Sequence, residues 1–255
     1  MIEALLNKEE FNYRSKQAWA RNVEYWLTGH LRHVHDVGEY ILRRVDYWRL
    51  RSDKRLPVLI DMGCGNAWLL GALQQASIPI EYIGLDSNAA FIDFAKNKYA
   101  SVPNATFLTL DFNEDTRSRF AADLVVNAFN FFELPDLSFP MSNAANWLNE
   151  DGVLLASTID KTYLILALSE NWKEFHENLA RYQQLPGVKY GFQKIDLGNG
   201  VSDTFEYPSV LYSSDDYISA ALTNKLRLSG YKEHIFTATA VPKIYCHFEF
   251  RNENR

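Results

Sequence analysis

Three carboxylates sit at or near the ends of three apolar runs: Asp61 in PVLIDM, Asp86 in IEYIGLD and Asp111 in ATFLTLD. Runs of this length and composition read as strands buried on both faces. The acids therefore fall at the carboxyl ends of three successive strands. Carboxylates so placed can accept hydrogen bonds from paired hydroxyls or from an exocyclic amine, they attract a cation, and they repel phosphate. Directly after Asp61 comes Gly63-Cys64-Gly65-Asn66. Glycines there let the backbone turn sharply and approach a ligand, and the helix that follows offers free N–H groups and a positive dipole end. Taken alone, the same turn would serve as an ordinary strand-to-helix connection. The third glycine of a GxGxxG dinucleotide fingerprint is replaced by Trp68, and the Lys of GxxxxGK[ST] is absent. The pattern therefore outlines a site for a neutral or cationic nucleoside rather than a phosphate.

Other candidates are less specific. Asn127 and Phe129 end a fourth apolar run, ADLVVNAF, where each either meets a ligand through its backbone or packs. Asn130, Glu133 and Asp160 follow strand ends and could orient or deprotonate an acceptor. In GHLRHVH, His30 and His33 share one face of a helix, which suits a proton acceptor, a metal pair or a plain helix surface. No Cys, Asp or Glu completes a metal set at suitable spacing, so no metal is expected.

The elements that must position these residues show in the hydrophobic period. From about Lys8 to Ser52, apolar residues recur at helical spacing, which predicts two amphipathic helices joined at Thr28–Gly29. Beyond them, strands at 57–62, 80–86, 105–111, 122–129 and 152–158 alternate with helices at 66–76, 88–100 and one ending at 144–150. That alternation implies a parallel sheet covered on both faces. A helix over roughly 163–184, a looser Gly- and aromatic-rich segment, a helix over 214–229 and a terminal hairpin around Ala240–Pro242 complete the chain. The expected organisation is an N-terminal helical cap (1–52) and an α/β domain (53–255) in which 161–213 is a lid or substrate-binding insertion.

Five stretches in order resemble the motifs of the class I S-adenosylmethionine-dependent methyltransferases, over about residues 55–160. LIDMGCGNA resembles the first motif, hhDhGCGxG, with Ala67 at its last glycine; YIGLDSN, FLTLDFNE, ADLVVNAFNFFELPD and WLNEDGVLLAST resemble those that follow. The resemblance implies a Rossmann-like seven-stranded, mostly parallel sheet with an antiparallel last strand, helices on both faces, and S-adenosyl-L-methionine as cofactor. It assigns the methionine end to Asp61 and the Gly63, Cys64, Gly65, Asn66 turn, the ribose to Asp86 with Ser87, and the adenine to Asp111 with Phe112. Helices preceding the sheet close over the site in this family, and Trp26 is the aromatic residue expected to face the sulfonium by cation–π attraction.

The family has no universal catalytic residue, so the acceptor is read from other features. The fourth-strand motif NAFNFF lacks the prolines of the [ND]PP[YF] pattern found in base- and amide-nitrogen enzymes. Aromatics after residue 160, including Tyr163, Trp172, Phe175, Tyr190, Phe192, Phe205 and Tyr207, suit an apolar or aromatic small-molecule acceptor methylated on O or N. They also suit simple packing. A net charge of −6 without a basic run argues against a nucleic-acid partner. No stretch approaches the ~18 apolar residues of a membrane span. Two cysteines, one of them inside the glycine turn, point to a reducing cytoplasm. The N-terminal aromatics leave a homodimer face open as an expectation. Methylation of protein or RNA, and a non-catalytic scaffold of the same fold, stand as alternative functions.

Overall fold

The computed structural model describes residues 2–5, 7–21, 23, 34–52, 56–116, 120–196, 204–236 and 243–253. In chain order the elements are β1 (Glu3–Ala4), α1 (Lys8–Arg21), α2 (Val34–Arg49), β2 (Val58–Met62), α3 (Trp68–Gln75), β3 (Glu81–Asp86), α4 (Ala89–Lys98), β4 (Ala105–Thr109) and β5 (Ala122–Ala128). A 3-10 turn at Phe131–Glu133 follows, then α5 (Ser138–Trp147), β6 (Leu148–Ile159), α6 (Lys161–Ala167), α7 (Trp172–Gln184), β7 (Lys189–Asp196), β8 (Thr204–Val210), α8 (Ser214–Thr223), β9 (Leu226–Phe236) and β10 (Lys243–Asn252).

Seven strands form one sheet in the order β4-β3-β2-β5-β6-β10-β9. Neighbours from β4 to β6 run parallel, and β10 runs antiparallel to both β6 and β9. This is the Rossmann-like sheet with a reversed final strand that the sequence predicts. Because successive side chains of a strand point to opposite faces, each central strand feeds two cores. Ile60, Val125, Leu154 and Phe248 pack with Trp147 of α5 and Tyr217 of α8. Leu59, Leu124, Val126 and Leu155 pack with Ile41 and Val45 of α2 and Leu69, Leu70 and Leu73 of α3. Burial on both faces is why these strands appear as unbroken apolar runs. Strand order reverses at β2, which lies between β3 and β5, and open α/β sheets bind ligands at the carboxyl ends beside such a reversal.

A second, three-stranded sheet has the order β1-β7-β8. Glu3 pairs with Tyr190 and Ala4 with Lys189, and the Leu5 N–H donates to the Val188 carbonyl at 2.7 Å. On α1, Phe11 meets Tyr190 edge-on at 5.5 Å, and the Arg14 guanidinium lies 3.8 Å over the Phe192 ring. Ile2 is buried with Phe132, Leu164, Ile165, Phe175 and Leu211. The leading segment and the segment after residue 160 thus fold onto each other.

Several predicted boundaries are corrected. The helix expected over 163–184 is two helices, broken where Asn171 caps α7 by accepting the Glu174 N–H. The looser segment forms β7 and β8. The helix expected to reach Ser229 stops at Thr223, because Lys225 takes a left-handed φ of 59° and the alternating LRLS begins β9. β6 starts at Leu148 rather than Gly152, and β4 ends at Thr109, two residues before Asp111. Among the described residues, no helix is long and apolar enough to cross a membrane.

Candidate cofactor and active site

The turn after β2 is held by backbone bonds: the Gly63 and Cys64 N–H groups both donate to the Leu85 carbonyl, at 2.8 and 2.9 Å. Gly63, Gly65 and Ala67 have φ of 79°, 52° and 55°. The two glycines serve different ends. A Cβ on Gly63 would lie 2.4 Å from Asn130 Nδ2, whereas a Cβ on Gly65 would meet nothing within 4 Å. The first glycine is demanded by internal packing, and the second borders open space into which a ligand can come. Ala67 adopts the left-handed conformation that explains the glycine of the motif it resembles, at a penalty of roughly 1–2 kcal/mol.

Asp86, at the end of β3, receives the Gly65 N–H on Oδ2 (3.0 Å) and the Asn88 N–H on Oδ1 (2.8 Å). Each oxygen retains a lone pair for a hydroxyl. Burial pushes its pKa up to about 6, with the two N–H bonds opposing and the Asp111 charge adding to the rise. Asp61 lies below the turn, buried, with Oδ2 accepting the Tyr82 hydroxyl at 2.5 Å. Its pKa is pushed up to about 7, by burial first and by Asp86 last, against the Tyr82 bond. The Cys64 thiol is buried under the turn and raised strongly by desolvation and then by Asp61 and Asp86. It offers no thiolate nucleophile, because the whole residue is closed off from solvent. Asn66 Oδ1 accepts the Trp68 N–H at 3.1 Å, the first of α3, and Ser87 is exposed beside Asp86.

A raised carboxyl pKa opposes folding as the group ionises. The stability contributed by neutral Asp61 is fully present below its unfolded value near 4 and is lost as pH rises through about 7. One proton's linkage is worth about 1.4 kcal/mol per pH unit. Asp61→Asn keeps an acceptor for Tyr82 and removes the titration. Its melting temperature is therefore expected to decline less than that of the wild type between about pH 5 and pH 8, read by thermal unfolding. Parallel curves would refute this account of Asp61.

Asp111 receives the Asn113 N–H on Oδ1 (3.0 Å) and the Lys16 ammonium on Oδ2 (2.8 Å). Phe112 is buried in the core, and its carbonyl accepts from Asn143 Nδ2 at 3.0 Å. At the end of β5, Asn127 Nδ2 donates to the Met62 carbonyl (3.2 Å), and Asn127 Oδ1 accepts the Asn130 N–H (3.3 Å). Asn130 Nδ2 in turn lies within bonding distance of the carbonyls of Met62, Gly63 and Ala128, at 3.1–3.3 Å. This pair of asparagines clamps the β5 end to the glycine turn. Phe129, between them, is held at φ 68°, a strained conformation for a bulky residue. Its N–H donates to the Ser157 carbonyl at 2.8 Å, and its ring meets Tyr245 at 5.5 Å.

The remaining candidates separate. Glu133, almost buried, accepts the indole N–H of Trp19 at 2.9 Å. Asp160 Oδ1 accepts the Thr162 N–H at 2.7 Å and caps α6. His30, His33 and Trp26 lie outside the described residues. Lys16 and Trp19 were given no site role by sequence reasoning. Only their three-residue spacing, which puts both on one face of α1, could have signalled it. Trp19 reaches from Phe91 at the start of α4, with ring centroids 6.0 Å apart, to Glu133 beyond β5.

The open side of Gly65, the lone pairs left on Asp86 and the surplus of carboxylate over cation fit a nucleoside bearing a positive sulfonium. Residues 59–152 match the family model described as a methyltransferase domain. Among solved structures, a S-adenosylmethionine-dependent methyltransferase from Clostridium acetobutylicum has a TM-score of 0.59 at 14% identity, covering 84% of this chain and 90% of that one. A SAM-dependent methyltransferase from Methanosarcina mazei has a TM-score of 0.59 at 13% identity, covering 78% and 93%. The methyltransferase in a complex with the Haloferax volcanii Trm112 methyltransferase activator has a TM-score of 0.52 at 14% identity, covering 97% and 98%. At these identities the structures show the shared fold. Comparison with curated proteins gave no match. The matched methyltransferase domain supports an enzyme, carried on the fold that these S-adenosylmethionine-dependent methyltransferases share. S-adenosylmethionine is the cofactor named for the solved structures that share this fold.

Proposed function

We propose that this chain is a cytoplasmic enzyme that methylates an oxygen or nitrogen of a small apolar or aromatic molecule. The observation that carries this reading is the apolar cluster beside the β5 end. Phe132, Leu164, Ile165 and Phe175 form its buried part, and Trp19, Phe129 and Ile159 pack against it. Glu133 is the carboxylate among these residues. Apolar walls with one or two polar groups suit a small organic acceptor.

When bound, the cofactor supplies an electrophilic methyl group with a good leaving group. What the chain contributes is orientation, which can lower such a barrier by about 7–11 kcal/mol. Asp86 holds the ribose hydroxyls, the Gly63–Asn66 turn holds the methionine end, Asp111 accepts the adenine amine, and the strained Phe129 turn sets the wall against which the acceptor lies. The apolar cluster excludes water. Glu133 orients the acceptor and takes its proton where the acceptor is an alcohol, phenol or ammonium.

Titration with S-adenosylhomocysteine, followed by a screen of phenols, acids and amines, tests this reading. No binding by folded protein would end it. With an acceptor in hand, Glu133→Gln is expected to lower turnover by ~10²- to 10⁴-fold while S-adenosylhomocysteine affinity stays within about threefold. Unchanged turnover would remove Glu133 from the chemistry. A macromolecular acceptor is the second reading, favoured by the end-to-end match with the Haloferax volcanii methyltransferase that is complexed with an activator protein. The net charge of −6 argues against RNA as that acceptor.

A further inference from the structure

We propose that Lys16 competes with the cofactor for Asp111, so that cofactor binding must release the Lys16 side chain of α1 at the edge of the site. This rests on the methyltransferase reading above and on Asp111 as the acceptor for the adenine amine.

Both oxygens of Asp111 are engaged, Oδ1 by the Asn113 N–H and Oδ2 by the Lys16 ammonium. An amine donor arriving at Asp111 meets a cation already bonded to the more available oxygen. The Asn113 bond is local to the turn, two residues along the chain, and has no reason to yield. The Lys16 bond comes from another element, and the Lys16 side chain is 58% exposed against 19% for Asp111. A released ammonium passes into water at little penalty, while the carboxylate exchanges one donor for another. Lys16 is therefore the partner that gives way.

The consequence extends along α1. Its first half is anchored away from Asp111, through the Lys8–Asp136 pair, Phe11 against Tyr190, Arg14 over Phe192, and β1 against β7. Its second half crosses the strand ends, with Lys16 on Asp111 and, one turn on, Trp19 against Phe91 and Glu133. Freeing Lys16 removes the hold nearest to Trp19, so adenine binding at Asp111 is coupled through one helical turn to the setting of Glu133. α1 acts as a latch, read by the cofactor at one end and by the acceptor side at the other.

The test is calorimetric titration of the full chain with S-adenosylhomocysteine, which carries no net charge near neutral pH, on wild type, Lys16→Met and Lys16→Arg. Exposed ion pairs of this kind correspond to roughly a two- to five-fold effect. Lys16→Met is expected to bind about two- to five-fold more tightly than wild type at low salt. The difference should vanish near 0.5 M salt, where the screening length falls to roughly 4 Å. Lys16→Arg, which keeps the charge, should stay close to wild type. Equal or weaker binding by Lys16→Met at low salt overturns the latch and leaves the methyltransferase reading intact. If neither wild type nor variant binds while each melts cooperatively, the methyltransferase reading itself fails.

Discussion

Asp86→Ala is expected to weaken S-adenosylhomocysteine binding by ~10²- to 10⁴-fold. A hydrogen bond to a charged group is worth about 1.5–3 kcal/mol, two ribose hydroxyls would share this carboxylate, and each 1.4 kcal/mol is about tenfold in affinity. The loss extends beyond the ligand, because Asp86 also receives the Gly65 and Asn88 N–H groups. Removing it leaves two backbone donors unpaired and the glycine turn unsupported. Asp86→Asn separates these effects, since its amide oxygen still accepts one N–H while the charge is gone. The pKa of about 6 adds a second signature. Hydroxyls prefer the ionised acceptor, so wild-type affinity should rise as pH rises through about 6 and the Asn variant should lose that rise. Calorimetric titrations at several pH values measure both. An Asp86→Ala protein that binds like wild type would place the ribose elsewhere.

Gly63→Ala and Gly65→Ala should fail in different ways, although the residues are two apart in one motif. At Gly63 the new methyl would press on Asn130 from 2.4 Å and demand a left-handed φ. Conformational strain of roughly 1–2 kcal/mol adds to overpacking of about 1–3 kcal/mol. The Asn130 bonds to Met62, Gly63 and Ala128 are also disturbed. For a chain of this size each kcal/mol moves the melting temperature by about 2–4 °C, so a fall of roughly 4–20 °C is expected. At Gly65 only the conformational strain applies to the free protein, and the melt should move by a few degrees. There the methyl enters open space, and cofactor affinity should drop more than ~10-fold. Thermal melts and titrations of the two variants decide this. Equal melting temperatures with equal affinities would contradict the separate roles.

The central strands were legible because their physics is local. β2, β3 and β5 are covered on both faces, so nearly every residue must be apolar, and a polar residue toward the end of such a run is conspicuous. Asp86 and the glycine turn therefore stood out. Asp111 was harder to place. β4 is an edge strand with exposed residues along it, so the apolar run did not mark its end, and the strand stops two residues early. The Gly- and aromatic-rich segment after residue 185 concealed β7 and β8; they pair with each other, and the other partner of β7, β1, is far away at the start of the chain. Asn130 illustrates a different limit. A polar residue after a strand end reads equally as a reactive group or as a tether, and only the carbonyls around it make it a clamp.

The amino-acid sequence by itself determined the parallel sheet, its order of strands and helices, the glycine turn after β2 and the position of Asp86 at the end of β3. All of these follow from burial and spacing within a few residues. Tertiary structure alone decided which glycine is needed for packing and which borders open space, that Asp61 and Cys64 lie under the turn, and that Lys16 and Trp19 of α1 meet Asp111 and Glu133. Those pairings join residues separated by most of a hundred positions or more, and no local pattern specifies a partner at that distance until the chain has collapsed around its core.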